Sequence, residues 1–242
     1  TQMTLQAPKT ALALNRQEAN TWRLSNPEGA RADAQLVSRL LGHTATVMAE
    51  RVLAGSKEQP LRAADYGLDP PIATLTLTAE GVSHILQFGE ATPVEDNRYI
   101  KLTTRPEIFI VTGALFELID QSPEAFRDRS LLPFASLTAD RVTVRSPTGT
   151  LQLSRKDNAW RLEQPVSDHA DANEGNAFLN RIGGIRIQRF FDTQAPSGVF
   201  DQPQATVEVA LTNPAQTVTL TFGAAVEDAD ASTDEQPEEP PA

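Results

Sequence analysis

The residues best suited to chemistry are few. The chain has three histidines, His43, His84 and His169, and no cysteine. The histidines fall at a predicted helix end, in a predicted strand and before a predicted helix. No pair of them has the spacing of metal ligands. Asp168-His169-Ala170-Asp171 puts two carboxylates and a histidine close together, followed by Asn173 and Glu174. Its carboxylates could hold a cation. Asp171 and Glu174 also have the spacing of a helix capping box. There is no G-x-S-x-G elbow, P-loop or G-x-G-x-x-G. The paired glycines of "IGGIRIQRF" follow a helix instead of opening one, which makes a poor phosphate cradle. Carboxylates are plentiful, but no pattern pairs two of them across a site. Without cysteine there is no thiol catalysis, disulfide or thiolate metal site. The sequence therefore assigns no catalytic, cofactor-binding or metal-binding residue, and no cofactor is expected. One mixed cluster stands out as a partner contact or latch: Phe126, Arg127, Asp128 and Arg129, with Leu131 and Leu132 after them. The competing reading is a surface salt bridge at a linker, contributing about 0–1 kcal/mol.

The elements that would position these residues come in two copies. "NTWRLSNPEGARADAQ" (residues 20–35) matches "NAWRLEQPVSDHADANE" (residues 158–174) in its Asn, its Trp-Arg-Leu, its proline and its Ala-Asp-Ala. "MTLQAPKTALAL" from Met3 aligns without gaps to "VTVRSPTGTLQL" from Val142. Apolar residues alternate on both sides of a proline-centred turn, the period of a β-hairpin with one buried face. Trp22 and Trp160 match each other and read as core anchors.

A helix should follow in each copy. Asp33 and Asp171 are its N-caps, and the shared aspartate favours capping over a metal site in "DHAD". Leu36, Val37, Leu40 and Leu41 carry the helical period in the first copy, and Phe178, Leu179 and Ile182 in the second. Gly42 and Gly183-Gly184 mark the expected helix ends. Strand-rich "TVMAERVL" and "IRIQRFF" come next. "YGLDPPIATLTLTAEGVSHILQFGEA" (residues 66–91) then resembles "GVFDQPQATVEVALTNPAQTVTLTFGAA" (residues 198–225), each holding two alternating strands and ending near Phe-Gly.

The expected fold class is α+β: two tandem similar lobes, each of antiparallel β-hairpins plus a packed helix. The first lobe covers residues 1–97 and the second residues 139–226. Residues 98–138 have no counterpart and read as an extra hairpin ("RYIKL" and "EIFIV"), a short helix ("GALFELID") and a connector. Residues 227–242 hold seven acids and no base. They are expected to be a disordered tail, since they carry too little apolar surface to offset the entropy of ordering.

Net charge is -11 over 242 residues. Without the tail, 25 acids face 21 bases, a balance of -4. A mildly acidic body lacks the basic surface that phosphate contacts need, so no nucleic-acid partner is expected. No run of about 18 apolar residues exists. The chain begins at Thr1 instead of Met; a missing signal or anchor upstream is one reading, and a truncated terminus or a lost Met is the other.

Taken together, these features resemble a bacterial family, the domain of unknown function 4340. The residues that carry the resemblance are Trp22-Arg23-Leu24 with Pro27 and Ala32-Asp33-Ala34; Tyr66-Gly67-Leu68-Asp69 with Pro71; Phe88-Gly89; Arg98-Tyr99; and Phe126-Arg127-Asp128-Arg129 with Leu131-Leu132. The resemblance implies an N-terminal membrane anchor outside these residues and an exposed extracytoplasmic α+β region, with the cytoplasm as the alternative. It also implies a role as an auxiliary part of a gliding-motility-type ABC transporter, with permease and ATPase as partners. It supplies no catalytic residues. Three functions follow: a non-enzymatic interaction scaffold, a binding protein for a small molecule or envelope polymer using an inter-lobe cleft, and a carboxylate-dependent hydrolase.

Overall fold

A computed structural model of the chain describes residues 1–17, 21–56, 58–93, 96–132, 139–157, 159–191, 198–212 and 215–225. The acidic tail lies outside the described residues. The chain divides into two compact units, Thr1–Arg129 and Ser130–Ala242. Each is built on one antiparallel sheet, so the protein is α+β, mostly strand with three helices among the described residues.

The first unit contains β1 (Gln2–Ala7), β2 (Thr10–Arg16), β3 (Trp22–Leu24), α1 (Ala34–Thr46), β4 (Arg51–Leu53), β5 (Ala73–Ala79), β6 (Val82–Ala91), β7 (Asn97–Leu102), β8 (Ile108–Thr112) and α2 (Ala114–Ile119). Its eight-stranded sheet runs β3-β2-β1-β5-β6-β7-β8-β4. The second unit contains β9 (Ala139–Ser146), β10 (Gly149–Lys156), β11 (Ala159–Gln164), β12 (Asp168–His169), α3 (Ala172–Gly183), β13 (Ala205–Thr212) and β14 (Ala215–Phe222). Its six-stranded sheet runs β12-β11-β10-β9-β13-β14.

The repeated sequences adopt the same registers. Met3 pairs with Leu14 and Leu5 with Leu12; Val142 pairs with Leu153 and Val144 with Leu151. Arg16 lies opposite Trp22, and Arg155 opposite Trp160. Ala73 pairs with Phe88, and Ala205 with Phe222. A one-residue slip would turn every apolar side chain to the other face, so the alternating pattern fixes the register wherever one face is buried. The proline after each Trp strand is cis in both units, at Asn26-Pro27 and Gln164-Pro165. Asp33 accepts hydrogen bonds from the amides of Gln35 and Leu36. Asp171 accepts from those of Asn173 and Glu174.

Each helix packs its apolar face on its own sheet. In the first unit Leu36, Val37 and Leu40 meet Met3, Leu14 and Trp22. In the second, Leu179 and Ile182 meet Val142, Trp160 and Val209. The Trp160 ring lies against Gly175 of α3, and its Nε1–H donates to Asn176 Oδ1 at 3.0 Å.

Three expectations are corrected. Gly42 does not end its helix: α1 continues to Thr46, and the hydroxyls of Thr44 and Thr46 bond back to the carbonyls of Leu40 and Gly42. "TVMAERVL" therefore begins in helix, and only Arg51–Leu53 is strand. "IRIQRFF" forms no strand; its described part makes one isolated bridge, Arg186 with Ser130. The physical reason is the missing partner. In the first unit β4 pairs with β8, and among the described residues the second unit has no counterpart of β8.

Candidate functional site

Several of the residues that carry the family resemblance meet at two joints in the first unit. At the first joint, a 3-10 turn over Ala63–Tyr66 ends at Gly67 in the left-handed conformation, with φ 65°. The turn lies against Gly89 in β6. A Cβ on Gly89 would sit 2.1 Å from the Tyr66 carbonyl oxygen, so only glycine fits. Arg98 in β7 donates to the Gly89 carbonyl at 2.7 Å. Its guanidinium lies 3.6 Å above the Phe116 ring of α2, a stacking that suits arginine and not lysine. Burial lowers the Arg98 pKa from its ordinary value, while the charge of Asp120 acts the other way. Tyr66 and Tyr99 meet edge to face, with centroids 5.0 Å apart. "YGLD", "FG" and "RY" are thus three sides of one packed joint.

The second joint uses Phe126 to Asp128. Phe126 is fully buried, and its carbonyl accepts from the Asp33 amide at 2.9 Å. Arg127 bridges Ala32. The Asp128 amide donates to the Arg31 carbonyl at 2.9 Å, and its carboxylate lies 3.4 Å from Arg31 Nε. This strip lies along the chain entering α1 and closes over its N-terminus. On the other side of the unit boundary, the Leu131 amide donates to the Ile185 carbonyl at 3.2 Å. Leu132 enters the second core at 5% exposure. Of the residues expected as a partner contact, Phe126 and Leu132 turn their side chains into the cores of their own units. Arg127, Asp128 and Arg129 are half-buried, and Leu131 is 36% exposed. One sequence motif serves two units, which is why it mixes large apolar and charged residues so densely.

The titratable candidates do not converge. His43, His84 and His169 are all exposed, and they lie on α1, β6 and β12. Among the described residues no group of three or more histidines and carboxylates could hold a metal ion. In "DHAD", Asp171 caps α3 and Asp168 accepts its neighbour's amide.

Two concavities in the first unit escaped sequence reasoning. The first is an apolar slot of about 120 Å³ between the C-terminal end of α1 and strands β5 to β7. Leu75, Leu77, Leu86, Ile100 and Leu102 form its walls, with Thr44 and His84 also lining it. Its volume is of the order of a 150 Å³ cavity that accepts benzene. Just beyond Val47, another lining residue, Met48 is 83% exposed. The second is a polar hollow of about 400 Å³ lined by Glu50, Arg51, Thr92, Asn97 and Tyr99. There the Asn97 side-chain amide donates to Glu50 Oε2 at 2.6 Å. These residues come from five separate stretches of chain, so no local pattern could have announced either hollow.

Antiparallel sheets, capped helices and motif residues buried in joints define an α+β protein whose signature is architectural. The model of the family described as Domain of unknown function (DUF4340) matches residues 22–198. That is more than half of the chain, and the chain belongs to this family. A search of the curated proteins and a search of the solved structures each returned no match.

Proposed function

We propose that the chain is a non-enzymatic interaction module of a bacterial membrane-associated assembly, built by duplicating one strand-and-helix unit into two tandem lobes. The observation that supports this reading is the apolar slot beside the exposed Met48. Apolar side chains gathered at an opening, next to an exposed methionine, suit a protein partner's side chain better than a polar metabolite. The duplication is supported by the coincident registers, cis prolines and helix caps of the two sheets. The family resemblance points to the permease and ATPase of an ABC transporter as partners, with the module exposed outside the membrane. No helix among the described residues is long and apolar enough to cross a membrane.

The test is affinity capture of the tagged protein from detergent-solubilised native membranes, read by mass spectrometry, beside a Thr44→Arg variant. Arginine at Thr44 places a charged side chain over the slot and keeps a good helix former in α1. Recovery of a permease with its ATPase, lost in the variant, is the expected result. Recovery of the wild-type protein only from the soluble fraction, without a stable partner, overturns the reading.

The polar hollow favours a second reading, a small-molecule binding protein. Its volume falls within the 300–1,000 Å³ typical of ligand clefts, and its carboxylate, guanidinium, amide and phenol can orient a polar ligand. A thermal-shift screen that finds a stabilising ligand, with the effect lost in Glu50→Gln, would move this reading ahead of the first.

A further inference from the structure

Among the described residues, three of the four sheet edges are closed by very short strands: β3 and β4 with three residues each, and β12 with two. The fourth edge is β14, with eight residues, Ala215 to Phe222. Its sequence, "AQTVTLTF", has no charge, no proline and no glycine. Natural sheets protect long edges with charge, proline or a bulge, and β14 uses none of these. Its counterpart β6 is not an edge. There β7 pairs onto the strand, placing Ile100 opposite Phe88 and Leu102 opposite Leu86, while α2 packs Phe116 against Phe88. The result shows in the burial of matched residues. Phe88 is 0% exposed and Phe222 40%; Leu12 is 7% exposed and Leu151 38%. Phe222 and Leu151 are exposed where their first-unit counterparts are buried.

We propose that β14 pairs antiparallel with β14 of a second copy of this chain, about a two-fold axis at Thr219. The sequence around that axis is symmetric in residue class: Thr217, Val218, Thr219, Leu220, Thr221. The pairing sets Val218 opposite Leu220 of the other copy, with Gln216 opposite Phe222 at the ends of that face, and Thr217 opposite Thr221, so threonine meets threonine on the other face. A strand that alternates in this way keeps its faces only when residues of equal parity pair, and an axis on Thr219 satisfies that. The interface is isologous and closed, so it ends at a dimer and does not propagate. Two six-stranded sheets become one continuous sheet.

β14 carries no charge of either sign, so two copies meet no like-charge repulsion across the pair. Each chain continues past Ala225 into seven acids without a base. In the antiparallel pair the two Phe222 residues lie six positions on opposite sides of each other's register, about 20 Å apart along the strand. An antiparallel pair therefore separates the two Phe222 ends, which a parallel pair would bring together. The proposal stands independently of the membrane-assembly reading.

The chain's lack of cysteine makes the test clean. The full chain is examined by sedimentation equilibrium up to its highest soluble concentration, beside Thr219→Lys, with circular dichroism as the check on folding. Single-cysteine variants Thr219→Cys and Gln216→Cys are then oxidised gently. A disulfide needs Cα atoms about 4.4–6.8 Å apart, which position 219 meets on the axis and position 216, displaced by six residues, does not. The expected result is a dimer whose dissociation constant rises at least tenfold in Thr219→Lys, with covalent dimer forming at 219 and not at 216. A monomer at every concentration overturns the proposal. So does a dimer indifferent to Thr219→Lys, or cross-linking equal at the two positions.

Discussion

Gly89 and Tyr66 are held so closely that the Tyr66 carbonyl oxygen occupies the place of a side chain on Gly89: a Cβ there would lie 2.1 Å from it. The contact locks the Ala63–Tyr66 turn onto β6 beside Arg98. Gly89→Ala must push backbone from backbone, and a shift of this kind costs about 1–3 kcal/mol or more. Urea denaturation should show an earlier transition in the first unit and leave the second in place. An unchanged midpoint would mean that the turn is not docked as described.

Two helix glycines should respond in opposite ways. Gly42 lies inside α1 with nothing within 4 Å of a Cβ, so Gly42→Ala should stabilise by about 0.5–1 kcal/mol through helix propensity. Gly175 lies in α3 with the Trp160 ring atoms 2.9 Å from the same construction. Gly175→Ala gains the same propensity and loses more to the clash, so it should destabilise and change Trp160 fluorescence. Thermal unfolding of both variants compares the signs directly.

The matched caps should behave alike. Asp33→Ala and Asp171→Ala each remove a carboxylate that accepts two helix amides. Each should cost about 0.5–2 kcal/mol. Asn at either position should restore most of that stability. Loss of bound metal ion with either substitution, measured by elemental analysis, would instead revive the cation reading of "DHAD".

Within the motif that spans the unit boundary, burial separates structure from surface. Phe126→Ala empties a fully buried site and should cost about 3–5 kcal/mol. Leu131→Ala changes a side chain that is 36% exposed and should stay within about 0.5 kcal/mol in the isolated protein. If Leu131→Ala weakens membrane-partner capture at unchanged stability, the exposed part of the motif contacts a partner.

Much of this fold was legible because its signals are local. The ungapped match from Met3 and Val142 gave both hairpins, and strict alternation gave their registers. Asp33 and Asp171 announced their helices because a cap binds amides two and three residues away. What failed depended on distant partners. "IRIQRFF" has strand composition, but a strand exists only where another lies beside it, and the described residues hold no second copy of β8. Gly42 looked like a stop because glycine so often is one, yet Thr44 and Thr46 bond back to earlier carbonyls and carry the helix past it. The slot and the polar hollow draw on residues far apart in sequence. The motif residues were recognised as a set, but their purpose was not: Gly89, Arg98 and Phe126 became intelligible only beside Tyr66, Phe116 and Asp33.

The two tryptophans, one in each core, give the molecule a separate optical reporter for each half. Trp22 sits on β3 at 6% exposure. Trp160 donates its indole N–H to Asn176 and has the Arg155 guanidinium 5.3 Å from its ring. A Trp22→Phe variant leaves a chain whose fluorescence follows the second half alone, and Trp160→Phe leaves one that follows the first. With those two variants, binding, unfolding or assembly can be assigned to one half of the chain without cutting it.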